Sequence, residues 1–161
     1  MKDKKIYISR AVFTALTVLL TVLIFGSSSA DGETSSGLSL LVTQWLNNAL
    51  EFLHIPVVLP HLLVRKLAHF AEYSLLGALL TATVQAWSRK PWKFRYVWLP
   101  IVIGGCLASL DEWLQTFVPE RCGCVSDVLL DMSGVLWAAA AVSLLLCYRS
   151  RKTIRTAEPN M

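Results

Sequence analysis

The amino-acid sequence predicts an all-α, polytopic membrane protein: four transmembrane helices and an extracytoplasmic amphipathic helix lying at the interface. Three observations lead there. Of 161 residues, 55% are hydrophobic, and the mean hydropathy is +0.54, where ordinary soluble domains stay nearer ~45–50% apolar. Four apolar runs, 8–25, 67–87, 97–117 and 128–148, each approach the ~20 residues with which a helix crosses ~30 Å of hydrocarbon. Twelve of the 15 Lys and Arg residues gather in three short clusters beside those runs. The clusters are 2–10, 89–95 and 149–155, so the +4 net charge reads as topology rather than as a nucleic-acid surface. The four spans leave no room for a separate soluble unit, and residues 1–161 are expected to form a single membrane domain.

The first run, after Lys2, Lys4, Lys5 and Arg10, serves as a span. Ser28-Ser29-Ala30 behind it also has the small-residue character of a signal-peptide cleavage site, though the run is longer than the ~7–15 residues of a signal core. With four crossings all three basic clusters fall on one side. The positive-inside rule then places both termini in the cytoplasm, and 26–66 and 118–127 outside.

Residues 26–37, GSSSADGETSSG, have linker composition and are expected to form a flexible exposed connection. Over 38–54, Leu38, Leu41, Val42, Trp45, Leu46, Ala49, Phe52 and Leu53 share one helical face, opposite Gln44, Asn47, Asn48 and Glu51. Such a helix is too polar on its reverse to span. It is expected on the outer surface or over the outer ends of the spans, as a lid or as a structural interfacial element. Pro56 and Pro60 then turn the chain into the second span. His54 and His61 fall in this loop and read as surface or interfacial residues. Cys106 and Cys147 read as packing residues. Cys122 and Cys124 lack zinc-site spacing and read as loop thiols, free or pairing.

The chemistry lies in the last three spans. Lys66, His69, Glu72 and Tyr73 fall within an arc of about 120° on the second, at ~100° per residue. Asp111, Glu112 and Gln115 share a face of the third, continued by Gly104 and Ala108. Asp127, Asp131, Gly134, Ala138 and Ala141 form a stripe on the fourth; small residues beneath polar ones suit close packing around a buried site. Helical rise places Glu72, Asp111 and Asp131 in one shallow slab, roughly 5–9 Å below the outer surface. Ionisable groups at that depth are costly and by default mark a site; as internal bridges they are a poor source of stability.

Crowded carboxylates with a histidine suit a divalent cation, with His69, Glu72, Asp111 and Asp127 as candidate ligands. They equally suit general acid/base chemistry. Lys66 and Arg121, flanking them, suit the phosphate of a lipid or lipid-linked precursor. No polar residues continue toward the cytoplasmic side, which disfavours a transport path, and no hydrolase, zincin, Walker or dinucleotide fingerprint is present.

Together, Lys66-x-x-His69-Phe70-x-Glu72-Tyr73, Asp111-Glu112-x-x-Gln115-x-Phe117-Val118-Pro119-x-Arg121-x-Gly123 and Asp127-x-x-x-Asp131-x-x-Gly134 resemble the VanZ-like family of small bacterial membrane proteins. The resemblance covers the last three spans. It implies a multi-pass cell-envelope protein, associated through the naming member with low-level resistance to the glycopeptide teicoplanin. Family members often carry Asn at the position of Asp131; either residue places an oxygen there. Two functions follow as expectations. One is a binding or envelope-modulating protein whose outer-leaflet pocket engages membrane lipid or a lipid-linked cell-wall precursor, with Lys66, His69, Glu72, Tyr73, Asp111, Glu112, Gln115, Arg121, Asp127 and Asp131 as its residues. The other is an intramembrane metal- or carboxylate-assisted hydrolase or transferase acting on such a lipid. Neither implies nucleic acid.

Overall fold

The computed structural model describes residues 2–29, 32–88, 91–119 and 123–157. In chain order these form α1 (Lys2–Ser29), α2 (Gly32–Phe52), α3 (His61–Trp87), a short 3-10 turn (Phe94–Val97), α4 (Trp98–Gln115) and α5 (Val125–Ala157), with no strand among the described residues. The fold class is therefore all-α. Four helical stretches, Ile6–Ser29, His61–Trp87, Phe94–Gln115 and Val125–Lys152, are long and apolar enough to cross a membrane, so the chain is built as a multi-pass membrane protein.

Two boundaries differ from expectation in ways that bear on the site. The Ser/Gly-rich stretch is largely helical. The structure carries α1 through Ser29 and begins α2 at Gly32, so the expected flexible linker is corrected to a helix–helix junction whose residues 30–31 lie outside the described set. Serine is tolerated there because its hydroxyl can bond back into its own helix, as the Ser27 hydroxyl does to the Ile24 carbonyl at 2.8 Å. The second difference is at α3, which starts six residues before the apolar run, at His61. Arg65 and Lys66 thus sit well inside α3, as the helical arc drawn through Lys66 requires.

The bundle centres on α3 against α5, with α4 beside both and α1 on the outer flank of α3. Contact is closest where side chains are absent. A Cβ on Gly77 would come within 2.6 Å of the Val135 carbonyl oxygen, and one on Gly134 within 2.7 Å of the Phe70 carbonyl oxygen. Each glycine lets one helix backbone rest on the other. Around this crossing a core of Ile24, Tyr73, Leu76, Leu80, Ala108 and Val135 joins α1, α3, α4 and α5.

Helix α2 docks chiefly on α3, by the flank between its apolar face and the exposed Gln44, Asn48 and Glu51. Thr43 is buried and Ser39 and Asn47 are partly buried, whereas Leu41, Trp45, Phe52 and Leu53 are exposed. Asn47 holds the loop before α3 from both sides, its amide donating to the Leu59 carbonyl (3.2 Å) and its side-chain oxygen accepting from the Leu59 amide (2.8 Å). Ser39 meets the His61 ring at 2.5 Å. A soluble amphipathic helix would turn its apolar stripe inward; here polar groups make the protein contact, as expected for packing where lipid solvates the outside. The helix ends at His54, which has φ 56°. Its amide and that of Ile55 return to the carbonyls of Glu51 and Leu50, a left-handed Schellman cap.

Candidate functional site

Helices α1 and α4 finish at the same end of the bundle at which α3 and α5 begin, and there the polar residues collect. Helical spacing on α3 stacks Lys66, His69 and Tyr73 on one side. Their depths differ: Lys66 is exposed, His69 partly buried and Tyr73 wholly buried. From α4, Asp111, Glu112 and Gln115 are all buried, and from α5 Asp131 is 1% exposed while Asp127, one turn earlier, remains partly open.

The residues separate into a rim and an interior. At the rim the Lys66 ammonium donates to Asp127 Oδ1 at 2.5 Å. With both side chains substantially exposed, this pair contributes little to stability. Glu112 Oε1 accepts the Cys124 backbone amide at 2.6 Å, tying the loop before α5 to α4. Gly123 explains the loop's close approach: a Cβ there would meet the Thr116 methyl at 2.5 Å and the Glu112 carbonyl oxygen at 2.9 Å. Glu112 is thus a loop anchor rather than part of the inner cluster. Arg121 and Cys122 lie outside the described residues.

The interior is tighter. One ligating atom from each of His69, Asp111 and Asp131 lies within 4.8 Å of the other two. His69 Nδ1 faces Asp131 Oδ2 at 3.9 Å, and Gln115 donates to Asp111 Oδ2 at 3.3 Å. Both Asp131 oxygens are buried and accept no hydrogen bond from a described residue. The Tyr73 hydroxyl is buried among Asp111, Asp131 and Glu72, also without a well-aligned partner. Buried polar groups are nearly always satisfied, and a buried carboxylate without donors is more costly still. Of the four candidate metal ligands, then, His69 and Asp111 converge. Asp127 turns instead to Lys66, because one helical turn nearer the α5 terminus carries it to the surface. Glu72 is half-buried, within electrostatic reach of Asp111, but outside the close set of three.

One interior residue escaped the sequence argument. The Ser28 hydroxyl, 2% exposed in the last turn of α1, donates to Asp111 Oδ2 at 2.9 Å. Its Ser/Gly-rich surroundings read as linker, so nothing in the local pattern pointed inward. The available signal was that the apolar run of 8–25 falls short of the outer boundary, leaving a further turn of helix to be filled. Arg65 was also passed over; it lies within electrostatic reach of Glu112 and adds a second cation beside Lys66.

Chemically, the interior offers one imidazole nitrogen and carboxylate oxygens, shielded by apolar packing, and the rim offers cations. A family model described as VanZ/LLP1 matches residues 13–146, from the second half of α1 to late α5. Among curated proteins and solved structures nothing matches.

Proposed function

The chain belongs to the VanZ/LLP1 family, and from that premise we propose that it is an envelope-modulating binding protein. Its polar end receives the headgroup of a membrane lipid or lipid-linked cell-wall precursor at the outer leaflet, and occupancy lowers the access of glycopeptide antibiotics such as teicoplanin. The observation that carries this reading is the layering of the site. An exposed cation, Lys66, stands over a buried acidic and histidine interior at the end of the bundle where three spans meet. A phosphate engages an ammonium at such a rim through charge-assisted hydrogen bonds, and the polar sugar or peptide beyond it can reach donors and acceptors below. The apolar faces of the spans and of α2 would accept the lipid chain, since Trp45, Leu41 and Phe52 point outward. The basic clusters orient this end outward by the positive-inside rule. Binding of this kind needs no turnover.

The test uses purified full-length chain and vesicles containing a polyisoprenyl phosphate. Saturable binding that weakens about tenfold in Lys66→Ala, the order expected for losing one charge-assisted contact, supports the reading, especially if expression of the chain also raises the tolerated teicoplanin concentration. Binding equal to that of vesicles lacking the phosphate lipid contradicts it.

A further inference from the structure

We propose that His69, Asp111 and Asp131 bind a divalent first-row transition cation, with Ser28 as the residue that positions Asp111. The inference stands on geometry independent of the lipid reading. The three side chains come from α3, α4 and α5 and bring ligating atoms within 4.8 Å of one another. Three ligands held at ~2.0–2.2 Å around one ion stand roughly 3.0–3.7 Å from one another, so a cation needs the widest pair of the set to close by roughly 1–2 Å.

A second, separate observation points to a ligand. Asp131 is 1% exposed, both of its oxygens accept no hydrogen bond from a described residue, and no described Lys or Arg lies within salt-bridge distance of it. A carboxylate so placed lacks what a structural carboxylate has: a donor set or a counter-ion. Its described neighbour is the His69 ring at 3.9 Å, too long for a hydrogen bond and a little beyond the roughly 3.0–3.7 Å that separates ligands sharing one ion. Two buried acids beside each other must either keep a proton or meet positive charge, and a divalent cation supplies that charge without a buried Lys or Arg.

The donor set narrows the ion. Carboxylates alone would suit magnesium or calcium; an imidazole nitrogen among them favours manganese through zinc. Asp111 Oδ2 already receives the hydroxyl of Ser28 (2.9 Å) and the amide of Gln115 (3.3 Å), the outer-shell bonds that orient a ligating carboxylate. The partly exposed His69 ring gives the ion its way in. Glu72 and the Tyr73 hydroxyl, close to Asp111, complete the polar wall.

The test is titration of the chelator-treated, full-length protein with Mn²⁺ and Zn²⁺, and with Mg²⁺ for comparison. Wild type and Glu51→Gln, a change on the exposed side of α2, are expected to bind either transition ion stoichiometrically. His69→Ala and Asp131→Asn are expected to lose about a hundredfold in affinity, and Ser28→Ala about tenfold while still binding one ion. Equal thermal stability of the Ser28→Ala and wild-type proteins without metal separates positioning from misfolding. No binding of Mn²⁺ or Zn²⁺ by wild type, unchanged affinity in His69→Ala and Asp131→Asn, or binding of Mg²⁺ alone overturns the assignment. Retained polyisoprenyl phosphate binding in a protein that takes no metal would remove the cation and leave the lipid reading standing; the opposite result would do the reverse.

Discussion

Polar side chains occur at both ends of the bundle, and the two ends treat them differently. Along the α1–α3 seam away from the site several are matched across the two helices, although Gln85 Oε1 on α3 is buried and accepts no hydrogen bond from a described residue. The Thr17 and Thr83 hydroxyls meet at 2.8 Å, Trp87 Nε1 donates to the Thr14 hydroxyl at 3.0 Å, and Arg10 Nε donates to the Ala86 carbonyl at 3.0 Å, its guanidinium 5.3 Å over the Trp87 ring. These are helix-to-helix fastenings of the sort that hold spans together in lipid. At the other end, His69 stands 3.9 Å from an Asp131 that accepts no hydrogen bond from a described residue. An unmatched amide oxygen is a modest cost, whereas a buried carboxylate without donors is a large one, and it is the carboxylate that marks a ligand's place.

The contrast can be broken first at the crossing that supports the site. Gly134→Ala puts a methyl 2.7 Å from the Phe70 carbonyl oxygen, and backbone cannot yield as a side chain does. A loss of about 2–3 kcal/mol is expected, read as a lowered unfolding midpoint in detergent together with loss of whatever Asp131, one turn away, binds. A second comparison sets site against seam. Thr17→Val removes a matched hydroxyl and leaves Thr83 without its α1 partner, so it should cost about 0.6–1.5 kcal/mol of stability with ligand binding intact. His69→Ala should do the opposite, leaving expression and stability near wild type and abolishing the metal binding proposed above and any teicoplanin tolerance that expression of the wild type confers. Similar behaviour of the two variants in both assays would erase the distinction. The smallest effect is expected at the end of α2. His54→Gly relieves a left-handed residue at φ 56° and should stabilise the protein by about 0.5–1 kcal/mol, leaving the site untouched.

Most of the fold was legible because lipid imposes a length and an apolar composition on each span. His69, Asp111 and Asp131 were legible as intramembrane ionisable groups at helical spacing. Helical arcs cannot distinguish rim from interior, however: Asp127 and Asp131 share a stripe, yet one faces Lys66 and the other is buried, because Asp127 is in the first turn of α5 and Asp131 a turn deeper. Small residues were expected to line the packing faces at Gly104 and Gly134, while Gly77, which touches Val135 backbone, was hidden in an apolar run where glycine carries no polar mark. The face by which α2 docks was not legible for a related reason. Amphipathicity states which faces differ, but in a membrane the apolar one can face outward, and Asn47 and Ser39 then make the protein contact. Ser28 was masked by composition, since serine and glycine signal a linker wherever no long-range partner is known.

The most direct test of the difference between the two ends is the melting temperature of wild type and Asp131→Asn, each with chelator and with saturating Mn²⁺. If the buried carboxylate is kept for a cation, Asp131→Asn with chelator melts above wild type, because a costly buried charge is gone, and Mn²⁺ raises wild type past it by binding the folded state alone. If Asp131 is a structural group like Thr17, the variant melts below wild type with chelator and Mn²⁺ moves neither curve.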